Sequence, residues 1–446
     1  MSTKARRFWI LTAVYVAFSA TTLSLALYEE SVGERIAASR RAGVQSTRAR
    51  ELSARRVAGF AKAGAVLAAT FYVLGLGVLL GPGPIRLGSG NLAVFLGIVV
   101  LIDASTNLLG FHAPSLGRPG QAGAFSMWVY DETKGWFHSK STLAETGIGG
   151  PERFPVRLNS IGLRGPETRL DRPEDRGRVL VFGDSYVFGV GVEEERLLTT
   201  HLARLLAPYF PTGVEVLNLG VAGYSTDQQV LLWQELGSRL SPHLVILVVC
   251  DNDYLGNTEN FAYRQYYKPY FELEDDGGLR LENVPVPRLS RTQRLKLWLG
   301  RESNVWNFVR NRNAGHPMVR SLIRKLEVDV SRPPRAPYRI TAALVKSFAR
   351  EVTTQGAFFL VTSTARRGEN PALFQNLSRQ LAPAGIHHLD LFPILDAARR
   401  WEPDRDWDFR SDPHWNRDAH ELAASSLFEY LRDHYLSSPV GSSRSR

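Results

Sequence analysis

The sequence holds a single cysteine, Cys250, in 446 residues, which excludes any intrachain disulfide and leaves the redox compartment open. Lying just past an apolar run, Leu244 to Val249, that thiol reads as a packed core group. The marks of a nucleic-acid binder are missing too. The formal charge is +10, yet no basic helix, zinc-ligand spacing or interleaved aromatic motif accompanies it. Anionic lipid headgroups are the simpler partner for the basic charge, and an acidic glycan stays open as a substrate. Long apolar runs are few outside the N-terminal quarter, so the chain divides by composition into a membrane-type region and a large globular remainder.

Phe8 to Tyr28 is 21 residues without a charge, enough to cross a hydrocarbon core roughly 30 Å thick. Lys4, Arg6 and Arg7 precede it, as they would a signal peptide. The run is longer than a signal core and ends in no small-residue cleavage site, so it reads as an anchor. Ala58 to Leu80 makes a second span, with Lys62 close enough to one end to snorkel, and Asn91 to Gly110 makes a third. Asp103 and Asn107 lie four apart in that span, on one helical face, where a carboxyl group marks a contact between helices or a role in substrate transfer. The first reading predicts that Asp103→Leu disturbs stability more than turnover.

Three spans put the termini on opposite sides. The basic N-terminus favours a cytoplasmic start and an external C-terminal domain. The loop between the first two spans carries Arg35, Arg40, Arg41, Arg48, Arg50, Arg55 and Arg56, and the positive-inside rule applied to that loop favours the opposite orientation.

Beyond the Gly-Pro-rich linker Pro114 to Gly123, apolar runs alternate with helical patterns. Val179 to Phe182, Val214 to Leu217, Leu244 to Val249, Phe358 to Val361 and His388 to Leu391 read as strands, which predicts an α/β domain built on a parallel sheet with helices on both faces. Arg178 to Gly191 organises it. The strand Val179 to Phe182 stops at Gly183, suited to a sharp turn, and Ser185 follows in a strand-to-helix corner before a helical pattern from Glu193 to Leu206. A Gly-Asp-Ser triplet alone more often caps a helix than does chemistry. Its weight comes from three further blocks downstream: Asn218 to Thr226 after the second strand, Cys250-Asp251-Asn252-Asp253 after the third, and Asp412-Pro413-His414-Trp415-Asn416 near the C-terminus.

These four blocks resemble those of the SGNH (GDSL-type) hydrolase superfamily, whose members have a flavodoxin-like three-layer domain. The resemblance implies Ser185 as nucleophile, His414 as general base with Asp412 behind it, and Ser185, Gly223 and Asn252 as donors to an oxyanion hole. Asp412 stands two residues before His414, similar to the Asp-x-His-Trp block of polysaccharide acetylation proteins. Many superfamily esterases have the acid three residues before, where this chain has Ser411, and Cys250 stands where a third-block glycine is usual. The related membrane-anchored proteins act on envelope or exported polysaccharide, which implies a periplasmic catalytic domain on a multi-pass membrane protein.

Chemistry agrees with those assignments. A serine hydroxyl attacks only when a base takes its proton, and an aspartate can hold the imidazole in the tautomer that does so. Asn416 suits the N-cap of a helix over Arg417 to Tyr435, which would give the base a rigid mount. Asn218, Asp184, Asp251 and Asp253 suit turns around the pocket. His414 and His420 with Asp408 and Asp412 make a poor metal site, because a six-residue spacing puts the two histidines on different helical faces. His420 reads as a surface or packing residue, and His387 and His388 point to opposite sides of a strand. Neither a metal nor a cofactor is expected.

The expected organisation is a transmembrane region over 1–110, a linker and cover segment over 111–175, and a catalytic domain over 176–436. An insertion over 254–338 interrupts that domain, and a tail covers 437–446. The lead-in Tyr130 to Glu167, with Gly135-Trp136 and Asn159 to Gly165, reads as a cover over the sheet. Within the insertion, Phe271 to Glu274 and Leu279 to Glu282 flank Asp275 to Gly278 as a hairpin, with helices near Arg291 to Leu299 and Met318 to Leu326. Because the insertion starts beside Asn252, it is a candidate lid or substrate wall. The implied activity is that of a serine esterase on O-acyl, chiefly O-acetyl, esters of carbohydrate or a small ester substrate. An acyltransferase using the same residues and an inactive carbohydrate-binding module are the alternatives. Nothing in the sequence fixes the oligomeric state.

Overall fold

The short lead-in strands come first: β1 (Trp128–Asp131) pairs antiparallel with β2 (Gly135–His138), and β3 (Thr142–Thr146) with β4 (Phe154–Leu158). In this computed structural model the described residues are 127–148, 153–262, 266–291, 293–294, 337–410 and 412–437. The three expected spans, the Gly-Pro-rich linker, the helix expected at Met318 to Leu326 and all but the first residue of the tail lie outside them. Among the described residues no helix is long and apolar enough to cross a membrane.

The central strands form where consecutive β-branched and aliphatic residues have helices to cover both sides. β5 (Gly177–Gly183) is buried at every position, as a strand covered on two faces must be. It is followed by a single-turn helix α1 (Ser185–Phe188), α2 (Leu198–Leu206), β6 (Val214–Gly220), α3 (Thr226–Glu235), β7 (Leu244–Val249) and α4 (Asp251–Gly256). The insertion contributes two hairpins, β8 (Phe261–Ala262) with β9 (Tyr266–Tyr267) and β10 (Tyr270–Leu273) with β11 (Leu279–Glu282). The chain then returns through α5 (Pro337–Thr354), β12 (Phe358–Ser363), α6 (Ala372–Leu381), β13 (His387–Leu389), α7 (Phe392–Trp401) and α8 (Arg417–Leu431).

The five central strands lie in the order β13-β12-β7-β5-β6, all parallel. Counted along the chain this is the 2-1-3-4-5 order of flavodoxin-like sheets, with its switch point between β5 and β7. Alternate side chains feed two separate cores. Leu180, Phe182, Val245, Leu247 and Val361 pack with α3, α5 and α6, while Val179, Val181, Ile246, Val248 and Leu360 pack with α2, α7 and α8. Each such side chain contributes about 1.5–3 kcal/mol when fully buried. The three-layer α/β expectation therefore holds for the described part.

Three local expectations need correction. The helix expected from Glu193 is a 3-10 turn over Glu194–Arg196 followed by α2, because Leu197 is extended (φ −71°, ψ 151°) and breaks the run. The last strand is His387–Leu389, ending before Leu391. The helix expected from Arg417 to Tyr435 is α-helical to Leu431 and widens into a π-turn over Arg432–Leu436.

Candidate active site

Ser185 is the first residue of α1, directly beyond β5. Asp184 caps that turn by accepting the N–H of Tyr186 on Oδ1 at 2.9 Å, and Gly189 ends it in the left-handed region (φ 78°). Gly183 is needed for space and not for a special backbone angle. Its φ is not among the positive ones, but a Cβ there would lie 2.3 Å from Val187 Cγ2. A side chain at Gly220 would lie 2.2 Å from the Phe188 nitrogen, so α1 rests directly on the end of β6.

The geometry brings the serine and histidine blocks together across 229 residues: Ser185 Oγ lies 2.7 Å from His414 Nε2. On the other side of the imidazole, Nδ1 bonds Asp412 Oδ1, which also accepts the His414 backbone N–H at 3.0 Å. Nδ1 facing a carboxylate carries the proton, which leaves Nε2 as the acceptor for the serine hydroxyl. Burial pushes the Asp412 carboxyl up, but the hydrogen bonds and charge of His414 outweigh it and hold the group below the usual carboxylate range. Asp412 is therefore ionised at neutral pH.

The loop bearing His414 is tied at several points. Phe409 N–H donates to His414 O at 3.0 Å, Asn416 N–H to Trp407 O at 3.2 Å, and Asp408 bridges Trp415. Arg399 grips Asp408 with two bonds of 3.0 Å and donates a third of 3.0 Å to Ala365 O. Asn416 caps α8 as expected, accepting from Asp418 and Ala419 at 2.9 and 3.2 Å.

The three expected oxyanion donors sit beyond the carboxyl ends of β5, β6 and β7, which are neighbours in the sheet. Gly223 has φ +82° in the turn after β6. Asn252 lies in the first turn of α4, and its amide donates to Asp184 Oδ2 at 3.0 Å. The remaining polar residues fix turns. Asn218 donates to Val187 O at 2.7 Å and accepts from Gly220 N–H at 2.9 Å, while Asp253 accepts the Cys250 N–H at 3.1 Å. Burial raises Asp184, and burial first, with the nearby Asp184 charge second, raises Asp253 well above the ordinary value. Asp251 pairs with Arg366. Next to that pair Glu369 is pushed up to about 7, chiefly by burial, against the pull of the Arg366 N–H. Cys250 is buried, and burial followed by the Asp184 charge drives its thiol well above the ordinary value, in keeping with a packed thiol.

His420 is a packing residue, not a surface one. It is 1 % exposed and its Nδ1 accepts the Leu198 N–H at 3.1 Å, so it caps α2. His387 contacts Tyr430 Oη at 3.2 Å on the far edge of the sheet.

Several contacts that shape the site were not foreseen from the sequence, which marked Trp136 and the Asn159 to Gly165 block only as parts of a cover over the sheet. Tyr186 stacks on the His414 ring with centroids 4.6 Å apart and donates to Pro413 O at 2.8 Å. Arg164, in the lead-in, donates to the carbonyls of Phe188, Gly189 and Val192 at 2.7, 2.6 and 2.6 Å and so clamps the end of α1. Trp136 and Tyr224 tie β2 to the Gly223 turn: Trp136 Nε1 donates to Ala222 O at 3.3 Å, and Tyr224 Oη to Trp136 O at 2.5 Å. The cover segment thus buttresses two of the site's loops. Part of the insertion is fixed as well, since Lys268 buries its ammonium against Asp227 and donates to Gly256 O at 2.7 Å. Adjacency to Ser185 was the only sequence signal for Tyr186. Arg164 lay in the Asn159 to Gly165 block read as cover, with no signal for its clamp on α1, and Arg399 had none at all.

No curated protein matches the chain. Similar solved structures include a two-domain esterase (CEX) active on acetylated mannans, co-crystallised with mannopentaose: 13% identity, TM-score 0.34, covering 58% of this chain and 49% of that one. The chain thus spans about half of that protein. A lipase/acylhydrolase from Enterococcus faecalis is 11% identical, with TM-score 0.33 and coverage of 58% and 96%. An acetyl xylan esterase, AlAXEase, is 12% identical, with TM-score 0.34 and coverage of 57% and 99%. The profile of the GDSL-like Lipase/Acylhydrolase family matches residues 181–422, more than half of the chain, from within β5 through the His414 loop into α8. The chain belongs to the GDSL-like lipase/acylhydrolase family, a family of SGNH-type hydrolases acting on esters.

Proposed function

We propose that this protein is a membrane-anchored serine esterase that removes O-acyl groups, chiefly O-acetyl, from carbohydrate or cell-envelope polysaccharide. The observation that carries the reading is the 2.7 Å contact between Ser185 Oγ and His414 Nε2, within the range a general base needs to take a proton. Ser185 Oγ attacks the ester carbonyl as its proton passes to His414 Nε2, and Asp412 stabilises the imidazolium. The N–H groups of Ser185 and Gly223 and the amide of Asn252 receive the oxyanion, donors that are typically worth a few kcal/mol each in such reactions. Collapse expels the sugar alcohol, which takes the proton from His414. Water then attacks the acyl-serine, with the same imidazole as base, and releases the acid and free Ser185.

The acetylated-carbohydrate substrate rests on the Asp412-x-His414-Trp415 block and its resemblance to polysaccharide acetylation proteins. The membrane anchor and its lipid contacts rest on the apolar runs within residues 1–110. The periplasmic placement rests on the basic N-terminus and the same resemblance, and a phosphatase reporter fused after Arg446 that stays inactive would reject it. Acyl transfer to a sugar hydroxyl uses the same groups and differs only in the acceptor that meets the acyl-enzyme.

The test is turnover of an activated acetyl ester by the full chain in detergent. Ser185→Ala should lower the rate by at least about a hundredfold. Equal rates in parent and variant would leave an inactive binding module as the better description. Acetylated product formed on added oligosaccharide would favour transfer over hydrolysis.

A further inference from the structure

We propose that Tyr186 is the positioning residue of the base: the face of its ring fixes the tilt of the His414 imidazole and favours the imidazolium formed as Ser185 is deprotonated. This rests on the serine-esterase reading above.

The two hydrogen bonds of the imidazole, to Ser185 Oγ and to Asp412 Oδ1, grip it at opposite nitrogens. They define an axis, and neither resists rocking of the ring about that axis. Tyr186 supplies the missing restraint. Its ring lies nearly parallel to the imidazole, at 23° with centroids 4.6 Å apart. The phenol is itself held from two sides, by its hydroxyl on Pro413 O at 2.8 Å and by the edge of Trp415 at 5.3 Å and 84°. It is 2 % exposed, so it has little room to swing away. Because burial raises its own ionisation well above the ordinary phenol value, it stays a neutral donor.

Placement in the chain gives the contact a second consequence. Tyr186 directly follows Ser185 on α1, while Pro413 directly precedes His414. The nucleophile's helix and the base's loop are therefore latched one residue away from each reacting group, and their separation is held by something other than the weak hydrogen bond between them. The electrostatic part follows from the aromatic quadrupole, whose negative face attracts a cation within about 6 Å. The imidazole becomes cationic only as the proton moves, so the attraction is stronger in the transition state than before it and acts on kcat.

The experiment uses the full chain in detergent with an activated acetyl ester, comparing Tyr186→Phe, Tyr186→Leu and Ser185→Ala for kcat, KM, the pH profile of kcat/KM and melting temperature. Phenylalanine keeps the ring face and loses only the hydroxyl, so kcat should fall about threefold. Leucine should lower kcat by roughly ten- to a hundredfold with KM within about twofold, and move the acid limb of the profile down by about half a pH unit. Should the leucine variant melt below the assay temperature, Tyr186→Met, which fills more of the space, takes its place. Parental kcat in the leucine or methionine variant overturns the proposal. So does an equal loss in the phenylalanine and leucine variants with the acid limb unmoved. Ser185→Ala separates the two readings: parental turnover there removes the esterase reading itself, whereas abolished turnover beside a fully active leucine variant removes only the role of Tyr186.

Discussion

Asn252 donates its amide to Asp184 Oδ2 at 3.0 Å, and the other oxygen of the same carboxylate caps the helix that carries Ser185. One buried carboxylate thus joins the ends of β5 and β7 and aims two donors of the site. An asparagine at position 184 would have one acceptor oxygen for two donors, leaving either the Tyr186 N–H or the Asn252 amide facing an NH2 group. An unmatched buried donor costs about 1–3 kcal/mol. Asp184→Asn is expected to lower kcat for an acetyl ester by roughly tenfold or more with KM little changed, as steady-state kinetics would show. Parental kcat would mean the amide of Asn252 is held by something else.

The loop carrying His414 depends on the Arg399–Asp408 pair. Asp408 has a side-chain exposure of only 3 %, and breaking a buried pair by removing one partner typically costs about 3–5 kcal/mol. Asp408→Ala should therefore lower the unfolding midpoint in denaturant and reduce turnover together, since Arg399 also holds Ala365 O beside the site. A loss of stability with full kcat would show that the loop keeps its shape without the clamp.

Two buried histidines should cost stability on acidification. Burial, aided by the charge of Arg164, holds His420 neutral and lowers it to about 3, while burial lowers His138 to about 4 against the pull of the Gly162 carbonyl. In the unfolded chain both return to about 6.5. These two groups then bind more protons in the unfolded state through that window, so the stability they contribute is fully present above about 6.5 and is lost as pH falls toward the folded values, by an amount on the order of a few kcal/mol. Glu369 partly offsets this loss, since it is pushed up to about 7 in the fold and binds its proton more tightly there. Melting of the full chain followed by tryptophan fluorescence from pH 7.5 to 4 reads this directly. His420→Asn keeps an acceptor for the Leu198 N–H but cannot take up a proton, so it should flatten the slope. A slope identical to that of the parent would assign the loss to other groups.

Gly223 illustrates a demand of backbone geometry at the site. At φ +82° an L residue is strained by about 1–2 kcal/mol. Gly223→Ala is expected to reduce kcat more than it reduces thermal stability, because the turn can relax only by moving the N–H meant for the oxyanion. Unchanged kcat would remove Gly223 from the oxyanion hole.

The parts of this domain that could be read from sequence are those written in contiguous residues. β7, apolar and buried throughout, is found over the same residues expected for it, whereas β5, β6 and β12 extend beyond the expected apolar runs through residues such as Arg178, Asn218 and Thr362, where the ladder continues after the apolar run stops. The pairing of Ser185 with His414 and Asp412 came from short blocks whose spacing resembles a known family. What the sequence could not show depends on contacts between distant residues. Arg164 reaches three carbonyls around the end of α1, and Arg399 reaches Asp408, but an arginine's partners leave no periodic trace. Likewise the break at Leu197 is invisible in the helical pattern from Glu193 to Leu206. There the first N–H of α2, at Leu198, is capped by the side chain of His420, far along the chain.

Covalent capture can show whether Ser185 is a nucleophile activated by His414. The full chain in detergent would be treated with a fluorophosphonate and digested, and the modified peptide identified by mass spectrometry. The expected result is a single adduct on Ser185, absent from Ser185→Ala and formed at least about a hundredfold more slowly in His414→Ala. Adduct formation at an equal rate with His414 removed, or none on Ser185 in the folded parent, would contradict it.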